Sequence, residues 1–141
     1  MSAYLSLSYV FITYNEEKNL GRALESIKDT ADEIIVLDSG SSDKTLEIAE
    51  KYGAKIYHNK FEDFASQKNK AISYAAKDYI FVLDADEELS AGLKKWIADF
   101  KNGTLDKNIY SASGFFVARK SSFLGKWINH SGWFPDYTLR I

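Results

Sequence analysis

Short apolar runs, each stopping at a polar or acidic residue and each followed by a segment of helical periodicity, constrain this chain more than any other feature of its sequence. The run over 7–12 is rich in β-formers and reads as a buried strand leading into Thr13-Tyr14-Asn15-Glu16. Asn15 stands where a helix cap belongs, with Glu16 and Glu17 in the first turn, and Leu20, Ala23, Leu24 and Ile27 follow at i, i+3, i+4 and i+7. A second strand over 34–37 runs into Asp38-Ser39-Gly40-Ser41-Ser42. The last serine of that turn can cap a helix with Thr45, Ile48, Ala49 and Tyr52 on one face, and Gly53 ends it. A third strand over 54–57 runs into His58-Asn59, and Ser66 caps a third helix that reaches about residue 76. A fourth strand over 79–83 is bounded by Asp84, and Leu93, Trp96, Ile97 and Phe100 mark a fourth helix. This alternation predicts an α/β fold, a mostly parallel sheet covered by helices on both faces.

The pattern changes after Asn102. Residues 109–118 read as a β segment, and 127–141 as an aromatic, loop-like stretch holding the single proline, Pro135. The expected organisation is a first half over 1–101 and the beginning of a second half of the same domain over 102–141, incomplete at its C-terminal end. The chain has no cysteine and only two histidines, His58 and His130, so thiolate and histidine-built zinc centres are excluded and any metal must be carboxylate-bound. A formal net charge of -2 gives no general pull toward nucleic acid. No run approaches the roughly 20 apolar residues of a membrane span, and the start lacks the basic residues of a signal peptide. The expectation is a cytoplasmic chain, with peripheral association at the inner face of a membrane, and oligomerisation through the aromatic tail, left open.

In an open α/β sheet, ligands sit beyond the carboxyl ends of the strands. The polar residues of this chain collect there. Asp84-Ala85-Asp86 places two carboxylates at i and i+2, on one side of an extended segment, where magnesium or manganese could bridge protein and diphosphate. The alternative is that Asp86, Glu87 and Glu88 merely favour the start of the fourth helix. Asp38 can accept hydrogen bonds from a ribose or base, or serve as the first residue of a turn before Gly40. The first turn carries no Gly-x-Gly-x-x-Gly, so a metal must neutralise phosphate charge in place of a glycine loop. Lys68 interrupts an apolar helical face near a helix N-terminus, which suits a phosphate contact made with Gln67, or snorkelling to solvent. Trp133-Phe134-Pro135-Asp136 offers rings for a pyranose face and a carboxylate that could deprotonate an acceptor hydroxyl, or an aromatic corner with a proline turn. Arg140 suits a phosphate or a surface acid, and Arg119-Lys120 reads as a solvated pair.

The stretches Phe11-Ile12-Thr13-Tyr14-Asn15-Glu16-Glu17, Ile35-Val36-Leu37-Asp38-Ser39-Gly40-Ser41-Ser42-Asp43-Lys44-Thr45 and Val82-Leu83-Asp84-Ala85-Asp86-Glu87, in that order, resemble the family 2 glycosyltransferases of GT-A fold. Phe64-Ala65-Ser66-Gln67-Lys68-Asn69-Lys70-Ala71 and Gly132-Trp133-Phe134-Pro135-Asp136 resemble a subgroup that includes lipopolysaccharide-core β-glucosyltransferases. The resemblance implies a Rossmann-like three-layer sandwich and a nucleotide-sugar donor, with UDP as carrier. It also implies an inverting, metal-dependent transfer of a hexose to a saccharide or glycolipid acceptor. It places Thr13, Tyr14, Glu16, Asp38 and Asp84 around the donor nucleotide, Asp86 on a magnesium or manganese ion, and Asp136 as base; the nucleotide site expected for this chain also takes in Asn15, Gln67, Lys68 and Ala85.

Two other classes compete. A nucleotidyltransferase would want a glycine-rich, basic loop after the first strand, and none is present. A non-catalytic module, either a partial donor-binding domain or a receiver-like domain, is the other; a receiver would need clustered acids and a late lysine, whereas the acids here follow strands two and four.

Overall fold

In a computed structural model, which describes residues 4–127 and 136–141, the chain divides into two compact units, Met1–Leu105 and Asp106–Ile141. The first holds β1 (Leu7–Thr13), α1 (Leu20–Ile27), β2 (Glu33–Asp38), α2 (Thr45–Lys51), β3 (Lys55–His58), α3 (Phe64–Ile72), β4 (Tyr79–Val82) and α4 (Ala91–Lys101). Its strands form one parallel sheet in the order β3-β2-β1-β4.

The two faces follow from strand alternation. Val10, Ile35 and Leu37 point to one side, where Ala71 and Ile72 of α3 pack on them. Tyr9, Phe11, Ile34 and Val36 point to the other and are fully or nearly buried. On that side α1 buries Leu20, Ala23, Leu24 and Ile27, and the Tyr9 hydroxyl meets Thr30 Oγ1 at 2.7 Å just past its end. There too α4 sets Phe100 edge-on against Tyr79, with ring centroids 4.9 Å apart. The sheet is thus covered on both faces, as the alternation predicts, and β1 and β2 are near-continuous apolar runs because no face of theirs meets water.

The caps differ from those expected. Asn15 has φ 53 and lies five residues short of α1, so it is a loop residue and no cap. Asp43, not Ser42, accepts the Thr45 N–H at the start of α2, and Asp63, not Ser66, caps α3. That helix ends at Ile72, short of residue 76.

In the second unit, residues 107–111 form a 3-10 turn where a strand was expected. The chain enters β5 (Phe116–Arg119) only afterwards, and β5 pairs antiparallel with β8 (Asp136–Leu139). Between them β6 (Ser122–Phe123) and β7 (Lys126–Trp127) form a small hairpin. The 136–139 segment is therefore a strand, not a loop. No helix among the described residues is long and apolar enough to cross a membrane.

Candidate donor-binding site

The carboxyl ends of β1 and β2 are level, with Thr13 opposite Asp38 in the parallel register. The Asp38 side chain is fully buried and carries four hydrogen bonds. Oδ1 accepts from Thr13 Oγ1 at 2.8 Å and Ser41 Oγ at 2.6 Å; Oδ2 accepts from the N–H groups of Gly40 at 2.9 Å and Ser41 at 2.8 Å. Burial by itself would raise this carboxyl, but the Ser41 donors, Thr13 and Gly40 outweigh it and hold Asp38 below the ordinary carboxylate range. Asp38 is thus first the organiser of its own turn, in which Gly40 takes φ 100.

The loop after β1 is laced to the loop after β2. Asn15 N–H donates to Ser41 Oγ at 2.8 Å, and Ser42 N–H to Asn15 Oδ1 at 2.9 Å. Glu16 N–H donates to Thr45 Oγ1 at 2.7 Å, Glu17 N–H to Asp43 Oδ2 at 3.2 Å, and Lys44 N–H to Glu17 Oε2 at 3.1 Å. Tyr14 projects from this rim with 61% of its surface exposed. Ser39, Ser41, Asp43 and Thr45 were given no part in the site from the sequence. The signal was present in the dense run of small hydroxyl and acidic residues directly after a strand, which favours side-chain-closed turns.

Gln67 and Lys68 work from α3. Gln67 is 1% exposed. Its Nε2 donates to Ser39 Oγ at 2.9 Å and Asn59 O at 3.3 Å, and its Oε1 accepts from Asn59 Nδ2 at 2.9 Å. These bonds give it a structural task, tying α3 to the ends of β2 and β3, which differs from the nucleotide contact expected of it. Lys68 Nζ lies 2.8 Å from Asp84 Oδ1. The cation expected to face phosphate or snorkel therefore reaches across to the end of β4.

The Asp-x-Asp segment is not extended. β4 ends at Val82, and Asp84 and Glu87 close a turn in which Glu87 N–H donates to Asp84 O and Asp84 N–H to Glu87 Oε2, each at 3.0 Å. The expectation that extended backbone aligns the two carboxylates is corrected here, because the turn rotates successive side chains. Helix-start acids are not the explanation either, since α4 begins at Ala91 with Ser90 as its cap. Asp86 is exposed and the Ala85 side chain is buried. Among the described residues no three carboxylate or imidazole groups converge. The donors present fit a hard divalent cation in one mode, with one or two carboxylates from the protein and the remaining positions filled by phosphate oxygens and water.

In the second unit, Asp136 stands opposite Arg119 in the β5–β8 register, and its Oδ2 accepts from Arg119 Nε at 3.0 Å and Nη2 at 2.5 Å. Arg119 and Lys120 are both exposed, as expected, and Arg119 is in addition an ion-pair partner of Asp136. Arg140 is buried. His130 and Trp133-Phe134-Pro135, with their sugar-stacking reading, lie outside the described residues.

A parallel β3-β2-β1-β4 sheet with acids gathered beyond its carboxyl edge is the architecture of the GT-A glycosyltransferases. Solved structures agree: Staphylococcus aureus TarS aligns with a TM-score of 0.54 at 27% identity, over 68% of this chain and 32% of that one. Mycobacterium tuberculosis glucosyl-3-phosphoglycerate synthase, solved with UDP, aligns with a TM-score of 0.53 at 25% identity, over 59% and 34%. Residues 8–139 match the model for "Glycosyl transferase family 2", and the chain belongs to that family. Among curated proteins it is 47% identical over 89 residues to a TPR repeat-containing protein of Synechococcus elongatus, covering 62% of this chain and 22% of that protein. It is 43% identical over 88 residues to an uncharacterised glycosyltransferase of Rickettsia conorii, covering 62% and 31%. The matched segment thus spans about a fifth to a third of the length of those relatives.

Proposed function

We propose that this chain carries the donor-binding part of an inverting glycosyltransferase that moves a hexose from UDP to a saccharide or lipopolysaccharide-type acceptor. The observation that carries this reading is the level placement of Thr13 and Asp38 at the ends of β1 and β2, beside the Asp84 turn after β4 and with no glycine loop between. The family and the UDP complex of TarS, at 27% identity, support the choice of nucleotide.

In this reading the exposed Tyr14 ring offers a stacking face to the base. The Asp38 turn, with Thr13, Asn15 and Glu16 behind it, fixes the wall the nucleoside rests on. Asp84 lies toward the ribose, with the buried Ala85 following it in the chain, and Asp86 holds a magnesium or manganese ion. A divalent cation bound there supplies positive charge to the departing diphosphate. The acceptor hydroxyl attacks the anomeric carbon as the bond to diphosphate breaks, and its proton passes to a carboxylate, for which Asp136 is the candidate once it leaves Arg119. Transfer itself belongs to the whole protein.

Calorimetry with UDP, with and without manganese, tests the reading. Binding should require manganese and vanish in Asp86→Ala, with the melting temperature unchanged because Asp86 is exposed. Binding that ignores manganese, or survives that substitution, sinks the cation assignment; absence of any UDP binding sinks the donor site.

A further inference from the structure

We propose that Lys68 is a resident counter-cation for Asp84, which keeps free divalent ions weakly bound until a nucleoside diphosphate arrives with them. The inference rests on the donor-site reading above and adds a coupling device to it.

The geometry is specific. Lys68 Nζ sits 2.8 Å from Asp84 Oδ1, and the two side chains are 32% and 33% exposed, so the pair is neither sealed in the core nor freely solvated. Both partners are held from behind. Gln67, the preceding residue, fixes this turn of α3 to Ser39 and Asn59, and Glu87 fixes the Asp84 backbone N–H. Lys68 is the fifth of the nine residues of α3, one turn past its start, where the helix dipole acts on it little. Asp84 supplies its counter-charge.

An ammonium at this distance neutralises the Asp84 carboxylate two residues from the proposed Asp86 cation ligand and repels a second cation there. The pair is also accessible enough to exchange, because half-exposed ion pairs are weak. A diphosphate brings negative charge that the ammonium can follow, releasing Asp84 toward cation or ribose. The two ligands then favour each other, and by linkage each raises the affinity of the other by the same factor.

The test measures free manganese by electron paramagnetic resonance, with and without UDP, on the 141-residue chain and its Lys68→Met and Lys68→Arg variants. Without UDP, Lys68→Met should bind manganese about two- to fivefold more tightly than the parent chain, the range a half-exposed pair allows. The gain in manganese affinity that UDP brings should shrink in this variant. Lys68→Arg should restore most of that gain. Lys68→Gln, which keeps a hydrogen bond without the charge, gives the same reading if the methionine variant does not fold. Manganese affinity in the uncharged variants that is unchanged or lower without UDP overturns the proposal. A parent chain that binds no UDP under any condition overturns the donor site instead, and the device with it.

Discussion

The Thr13 hydroxyl donates to Asp38 Oδ1 at 2.8 Å, joining the last residues of two neighbouring parallel strands. Because Asp38 also receives the Gly40 and Ser41 N–H groups and the Ser41 hydroxyl, removing the acid strands several donors, whereas removing Thr13 leaves one acceptor position short. Asp38→Ala should therefore cost about 2–4 kcal/mol and Thr13→Val about 1 kcal/mol. Urea denaturation orders them, and equal losses would show that Asp38 does not organise the turn.

Asn15 combines a left-handed backbone, φ 53, with a side chain that accepts the Ser42 N–H. Asn15→Gly keeps the backbone and loses the bond, for about 1 kcal/mol; Asn15→Ala loses both, for about 2 kcal/mol. Alanine equal to or better than glycine in thermal unfolding would contradict the loop geometry.

Glu33 is 7% exposed, and burial alone would raise its carboxyl. Hydrogen bonds from Lys55, Ser8 and the Ala76 N–H, with the Lys55 charge, prevail and bring it from 4.5 down to about 2. A depressed folded value means that the stabilisation is complete above the unfolded value and is lost as pH falls from about 4.5 toward about 2. Glu33→Gln should lower stability by about 2 kcal/mol at neutral pH and flatten this acid limb. An unchanged slope of unfolding free energy against pH would refute it.

Asp136→Asn should leave UDP binding intact, since the proposed role of Asp136 is to take the acceptor's proton and not to hold the nucleotide. In a protein that transfers, it should lower turnover by about 10²-fold or more. Undiminished transfer to a saccharide acceptor would reject Asp136 as base.

The sheet was legible because β1, β2 and β4 are apolar runs with abrupt polar ends, and α1 because Leu20, Ala23, Leu24 and Ile27 keep strict helical spacing. Asn15 and Ser42 misled because a residue able to cap a helix can equally bond another loop, and only the tertiary register decides which. Gln67 looked like a ligand contact since a polar residue beside a strand end is ambiguous until its partners, Ser39 and Asn59, are seen. The segment around Ile109 has β-formers but no alternation, and Asp106 captures the Asn108 N–H to start a 3-10 turn instead.

The lacing of residues 15–17 to residues 41–45 has a consequence for inheritance and engineering. Each loop holds acceptors that the other one needs, so neither is a self-sufficient module. A chimaera that imports one of them from a relative with a different partner strips several amides of their oxygens. If the proposed donor site is right, retuning nucleotide preference would require transplanting the two segments as a single cassette.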